Sequence, residues 1–232
     1  MTEREWLACR DPDALLSFLG VRASARRLRL FACACCRSIW RLVQPESFRR
    51  LVELSEQYAE GVVDRQALLE AIEPVSEMAY GFHSAVSQAV WATAWSKSFV
   101  QAAEFAARAA GAAAAAQTVR GETDAHTAWL RARVAEESAY AEERARQCLL
   151  LRDIFAPFTR VSIDPAWRVA NNGAVRQLAV RIRDNRRFDE LPVLGQALKH
   201  AGCAEERILR HCAEPAPHGL GCWALDAVLG KD

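Results

Sequence analysis

The segment HCAEPAPHGLGCW, residues 211–223, gathers two histidines and two cysteines within thirteen positions, with Cys203 just upstream. Imidazole nitrogens and thiolate sulfurs are the ligands of tetrahedral zinc, which needs four of them converging at about 2.0–2.3 Å. Cys212, His218 and Cys222 supply three candidates: the prolines between them make a turn, and Cys222 stands at a helix start. His211, Cys203 or His200 would supply the fourth. The spacing is loose for a zinc site, because no pair has the two-residue CxxC separation and His200 and Cys203 straddle a helix stop. The competing reading is a packed helix connection. In it Cys222 and Trp223 bury against preceding helices, Gly219 and Gly221 allow a tight approach, and His218 hydrogen-bonds a helix end. That packing role, with no cofactor, is the expectation; zinc is the alternative.

A second concentration lies in ARRLRLFACACCRSIWRLV, residues 25–43. At about 100° per residue, one arc holds Phe31, Leu42, Cys35, Leu28, Ile39, Ala32 and Val43. The opposite arc holds Arg29, Trp40, Cys33, Arg26, Arg37 and Arg41. Cys35 is therefore expected in the core. Cys33 is expected among arginines, which favour a reactive thiolate. Cys36 lies one turn away, near enough for the two to share a metal. Residues 1–50 carry 10 basic and 5 acidic groups, whereas residues 51–80 carry 1 and 7. The next helix is thus expected to lie against the arginine face and neutralise it. A phosphate-binding face of Arg26, Arg29, Arg37 and Arg41 with Trp40 ranks last, and nucleic acid is not the expected partner.

No other constellation points to catalysis. Glu122 and His126 stand at i, i+4, but the second carboxylate–histidine motif of a di-iron bundle is missing. Glu136, Glu137, Glu142 and Glu143 read as a solvated helix face, Asp164 as a cap, and Asp226 near His218 as a base–orienter pair without a nucleophile. Gly-rich phosphate loops, HExxH, GxSxG and SxxK are absent. The reading leans away from an enzyme.

The elements that must position these residues are helices. Asp11-Pro12 marks one start and Gly20 its end. Ser24 can cap the cysteine helix, and further helices follow from about 46 to 60 and 64 to 73. The longest element, about Val75 to Val119, has 15 alanines between Ser84 and Gln117. RGETDAH (120–126) reads as its turn, with Thr123 capping a returning helix to about Phe155. Trp91, Trp95, Phe99 and Trp129 would fill the wider gaps of this antiparallel hairpin. The one β-like piece is FTRVSI (158–163). Later helix starts fall at Asp164-Pro165 and near Pro192, with a stop at Ala201-Gly202. The expected fold is all-α: a multi-helix array with a long alanine-rich antiparallel hairpin and a compact C-terminal helical unit. Three regions are expected, 1–74, 75–156 and 157–232, the first and last packed together as one domain.

At 232 residues the chain is long enough to bury a sizeable core. Its net charge of +1 gives no bulk drive towards nucleic acid or anionic membrane. The residues after Met1 carry charges where a leader would be apolar, and the stretch 99–119 contains Glu104 and Arg108, so no membrane span is expected. The eight cysteines then read as reduced thiols of a cytoplasmic protein.

EWLACRDP (5–12), LRLFACACCRSIW (28–40), LLRDIF (150–155), DPAW (164–167), FDELPVLGQALKHAGC (188–203) and HCAEPAPHGLGCWALDAVLGKD (211–232) resemble a family of uncharacterised helical proteins found in many copies in planctomycete genomes. Where that family's pattern often places an arginine before the final Gly-Cys-Trp, this chain has Leu220. The resemblance implies a soluble helical protein and carries no catalytic residue with it. The expected function is a non-enzymatic protein-interaction module that binds a protein partner or self-associates through its alanine stripe. A zinc- or thiol-based module is the alternative.

Overall fold

The computed structural model describes residues 1–44, 46–81, 84–95, 99–119, 123–159 and 163–231, and all regular structure among them is helical. The elements are α1 (Glu3–Ala8), α2 (Pro12–Leu19), α3 (Ala25–Ser38), α4 (Glu46–Ala59), α5 (Arg65–Gly81), α6 (Ala85–Ala92), α7 (Phe99–Thr118), α8 (Ala125–Ile154), α9 (Pro165–Asp184), α10 (Leu191–His200), α11 (Glu206–Ala213) and α12 (Trp223–Leu229). Local chemistry sets several starts. The Asp11 carboxylate accepts from the Asp13 amide, Ser24 from Arg27, Ser84 from Ser87 and Asp164 from Ala166, each satisfying an amide that the first turn leaves unpaired. Asp124 rather than Thr123 caps α8, accepting from the Thr127 amide at 2.7 Å. None of the described helices is long and apolar enough to cross a membrane. The chain divides into two compact units, Met1–Leu151 and Arg152–Asp232.

In the first unit α3 is covered by α4, α6 and α7. The acidic α4 neutralises the basic helix as expected: Arg37 makes a two-pronged pair with Glu56 at 3.1 and 2.7 Å, and Arg26 meets Glu60 at 2.6 Å. The basic face itself does not form. Arg29 is only 7% exposed, its Nη1 donating to the carbonyls of Thr93 and Ala94, and Arg41 alone of the four is left exposed. Cys33 and Cys36 are not the reactive thiols expected. Both are fully buried, and burial, reinforced by the Glu56 charge, pushes each thiol well up.

The alanine-rich hairpin is present with a shorter first arm, because the stretch from 75 breaks into the end of α5, then α6, then α7. Its two long helices run antiparallel: Tyr140 donates to Glu104 at 2.7 Å and Gln147 to the Ala103 carbonyl at 2.8 Å. Gly111 marks a close approach between them, since a Cβ there would stand 2.9 Å from the backbone oxygen of Glu136. Ala102, Ala103, Ala106, Ala107 and Ala109 are buried, with α7 packed on α3 and α6, so the alanine stripe is used inside the unit. Among the expected gap-fillers Phe99 is buried, whereas Trp95 and Trp129 point outward. The turn at 120–122, with Glu122, and half of the β-like piece at 158–163 (160–162) lie outside the described residues.

The second unit packs α9 to α12 around Ile182, Leu191, Leu194, Leu198, Ile208 and Leu225. Gly202, at φ +91°, turns the chain out of α10, the expected stop. Further on, side chains from α11 and from the approach to α12 meet Asp153 at the end of α8.

Candidate metal centre

Asp153 lies in the last turn of α8 beside Leu150, Leu151 and Ile154, all buried, so the helix face that enters the core carries a carboxylate with it. At 2% exposure that charge is costly unless partners meet it. They come from the C-terminal connection. Beyond α11 the chain turns through Pro215 and Pro217, closes a Cys222 amide to Gly219 carbonyl bond of 3.1 Å and passes Gly221 at φ +86°. This fold of the chain aims the Gly219 amide at Asp153 Oδ2, at 3.0 Å. It also brings His218 Nδ1 to 2.6 Å and His211 Nε2 to 3.1 Å from Asp153 Oδ1. Cys222, fully buried just before α12, holds its Sγ 3.2 Å from His211 Nε2.

Hydrogen bonding fixes the protons. The Trp223 indole can only donate, so at 3.1 Å it makes His211 Nδ1 an acceptor and leaves the His211 proton on Nε2. His218 Nε2 faces the Glu214 carbonyl at 3.3 Å and must donate, while its Nδ1 faces the carboxylate. His218 is thus an imidazolium paired with Asp153. Burial opposes its charge, but the Asp153 hydrogen bond and charge, helped by Glu214, raise its pKa. Burial likewise pushes against Asp153, and the two histidines hold it below the usual carboxylate value. Burial and the Asp153 charge drive the Cys222 thiol far up.

This is not a catalytic Cys–His–Asp relay. A relay uses opposite ring nitrogens for nucleophile and orienting carboxylate, but here Cys222 and Asp153 both address Nε2 of His211. The sulfur is also sealed from solvent and its thiolate disfavoured.

The arrangement does suit a cation. One ligand atom from each of Asp153, His211, His218 and Cys222 lies within 4.8 Å of every other. Tetrahedral zinc with bonds of about 2.0–2.3 Å has ligand–ligand edges of roughly 3.3–3.8 Å, so the cage would need the closest atoms to part and the more distant ones, within 4.8 Å, to draw in. Nitrogen, sulfur and oxygen donors in one buried tetrad match zinc better than calcium or magnesium, which want oxygens alone. His218 has its outer partner in place, since Nε2–H donation to Glu214 orients Nδ1 towards the ion. His211 needs its proton moved to Nδ1, where the Trp223 N–H must give way.

Of the residues the sequence marked, His211, His218 and Cys222 converge. Cys212 and Cys203 do not join them. Cys212 turns into the core against Gly195 of α10, its thiol pushed up to about 12 by burial, and Cys203 packs in the same core. His200 is exposed at the end of α10, and Asp226 lies outside the tetrad. Asp153 was missed, although a carboxylate on the apolar helix face of LLRDIF was the available signal. No protein-family model, curated protein or solved structure matches this chain.

Proposed function

We propose that residues 152–232 form a non-enzymatic zinc-holding module, with Asp153, His211, His218 and Cys222 as the four ligands. The observation that carries this reading is the convergence of four different ligand atoms around one buried carboxylate. Four protein ligands leave no open coordination position, which favours a structural role over a catalytic one. The ion would tie the end of α8 to α11 and the start of α12. Two anionic ligands and two neutral imidazoles would balance its charge, replacing the proton on His218 and the thiol proton of Cys222. Structural zinc binding releases on the order of 10–16 kcal/mol, enough to decide whether so small a unit is folded.

The test is metal content by mass spectrometry on untagged full-length protein purified under reducing conditions. About one zinc per chain is expected, lost in Asp153→Asn and Cys222→Ser and retained in Cys212→Ser, which touches only the core. A metal-free, folded protein, or content unchanged in the first two variants, overturns the proposal and leaves the tetrad as a hydrogen-bonded helix connection.

A further inference from the structure

A second feature lies in the first unit and is independent of the metal reading. Arg29 is a buried cation that no described carboxylate pairs. Its Nη1 donates to the Thr93 and Ala94 carbonyls at 2.7 and 2.9 Å, just past the end of α6. The rings of Tyr58 and Phe99 flank it, with centroids 4.9 and 4.8 Å away. Two carbonyl dipoles thus solvate one nitrogen, and the two rings pack against the guanidinium. They do not supply a full negative charge, and buried charges are normally paired. The opposite edge of the guanidinium is open: Nε and Nη2 have no acceptor among the described residues, and neither is sealed in.

Arg29 lines a cavity of about 520 Å³, within the range of small-molecule sites. Arg26 and Arg65 also line it; Arg26 is already engaged by Glu60, and Arg65 is exposed. The remaining wall is mostly apolar, including Leu68, Ile72 and Trp95, the last 40% exposed at its edge. The Nε–Nη2 edge of arginine is the geometry that takes a carboxylate through two parallel hydrogen bonds.

We propose that this cavity binds a small organic carboxylate, its two oxygens on Nε and Nη2 of Arg29 and its apolar body against Leu68, Ile72 and Trp95. A cap for α6 alone would explain Nη1. It would not explain an open, unpaired fork edge at the wall of an apolar cavity. A carboxylate is favoured over inorganic phosphate because one guanidinium edge meets an apolar wall, and phosphate has no body to place there.

The probes are the straight-chain carboxylates from butyrate to decanoate and 3-phenylpropionate, each against its uncharged amide. Binding is read on the full chain from the indole N–H resonance of Trp95, assigned with Trp95→Phe. At least one acid should saturate with a Kd below about 1 mM, its amide binding at least tenfold more weakly. Arg29→Lys keeps the charge but loses the fork, and should weaken the acid by about tenfold or more. Arg65→Ala, at an exposed position that leaves folding intact, should weaken it by about two- to fivefold at low salt and less at high salt. The proposal is overturned if no acid saturates by about 10 mM, if amides bind as well as acids, or if phosphate alone gives the same shift.

Discussion

Zinc and protons compete for the same atoms, so pH should act on the second unit with opposite signs in its two forms. Without metal, His218 is the imidazolium of a buried pair and its folded-state pKa is raised by Asp153. The pair's stabilisation is fully present below the unfolded value of about 6.5 and is lost as pH rises from there through the folded value. In that window the folded state holds one proton more than the unfolded, and stability falls by up to about 1.4 kcal/mol per pH unit. Asp153 acts at the acid end. Its pKa is lowered, so its contribution is present above the ordinary carboxylate value and lost as pH falls through the folded one. With zinc bound, Cys222 carries no proton, whereas the unfolded thiol keeps its own up to about pH 8.5. At fixed free zinc, stability then rises by up to about 1.4 kcal/mol per unit between roughly 6.5 and 8.5, and more steeply below, where two unfolded imidazoles also charge. Amide hydrogen exchange of α11 and α12 in the full chain, corrected for intrinsic rates, reads this directly. From pH 7 to 8, protection should climb about tenfold with buffered zinc and fall by up to about tenfold with EDTA. Protection that falls in both conditions would refute zinc ligation by Cys222. Protection that rises with pH in EDTA would refute the imidazolium–carboxylate pair.

Removing the indole donor in Trp223→Phe frees His211 Nδ1 to take the proton, so zinc affinity by competitive titration should rise by about 2- to 10-fold, the worth of one hydrogen bond. Gly111→Ala places a Cβ 2.9 Å from the Glu136 backbone oxygen and should cost about 1–3 kcal/mol, seen as a lower melting temperature. Arg37→Met removes the two-pronged partner of Glu56, 3% exposed, and should cost about 3–5 kcal/mol in denaturant titration, largely recovered in Arg37→Met/Glu56→Leu. Thiol titration of the native protein should find Cys9 reactive and the seven other cysteines, all buried, silent until the chain unfolds.

The helices were readable where local chemistry sets them. Asp11-Pro12, Ser24 and Asp164-Pro165 each act over two or three residues, and each caps the helix it announces. The inward faces were harder. A helical projection of α3 placed Arg29 and Cys33 opposite the core because it assumes one buried side, and α3 is enclosed by α4, α6 and α7. Arg29 tolerates that enclosure only because the chain just past α6 offers it two carbonyls, about 65 residues away in sequence. In the alanine-rich region the low bulk was plain, but nearly every position there favours helix, so composition could not mark where α6 and α7 separate.

The candidate site shows the same divide at closer range. His211 and Cys212 are adjacent on α11 and therefore point about 100° apart, so while His211 meets Asp153, Cys212 meets α10. Two equally good ligand types at neighbouring positions leave the spacing unable to choose between them, and the close approach of Gly195 to Cys212 makes the choice. Asp153 lies 58 positions before His211, beyond any spacing rule for metal ligands. What could have found it is cost. On α8 it shares a face with Leu150, Leu151 and Ile154, and a carboxylate committed to such a face must be met by donors or a cation. A chain that buries one acid there and ends in two histidines and a cysteine on a Pro- and Gly-shaped turn has put the demand and its answer in separate stretches. Only the fold of the second unit, which sets residue 153 at the end of α8 beside α11 and the start of α12, joins them.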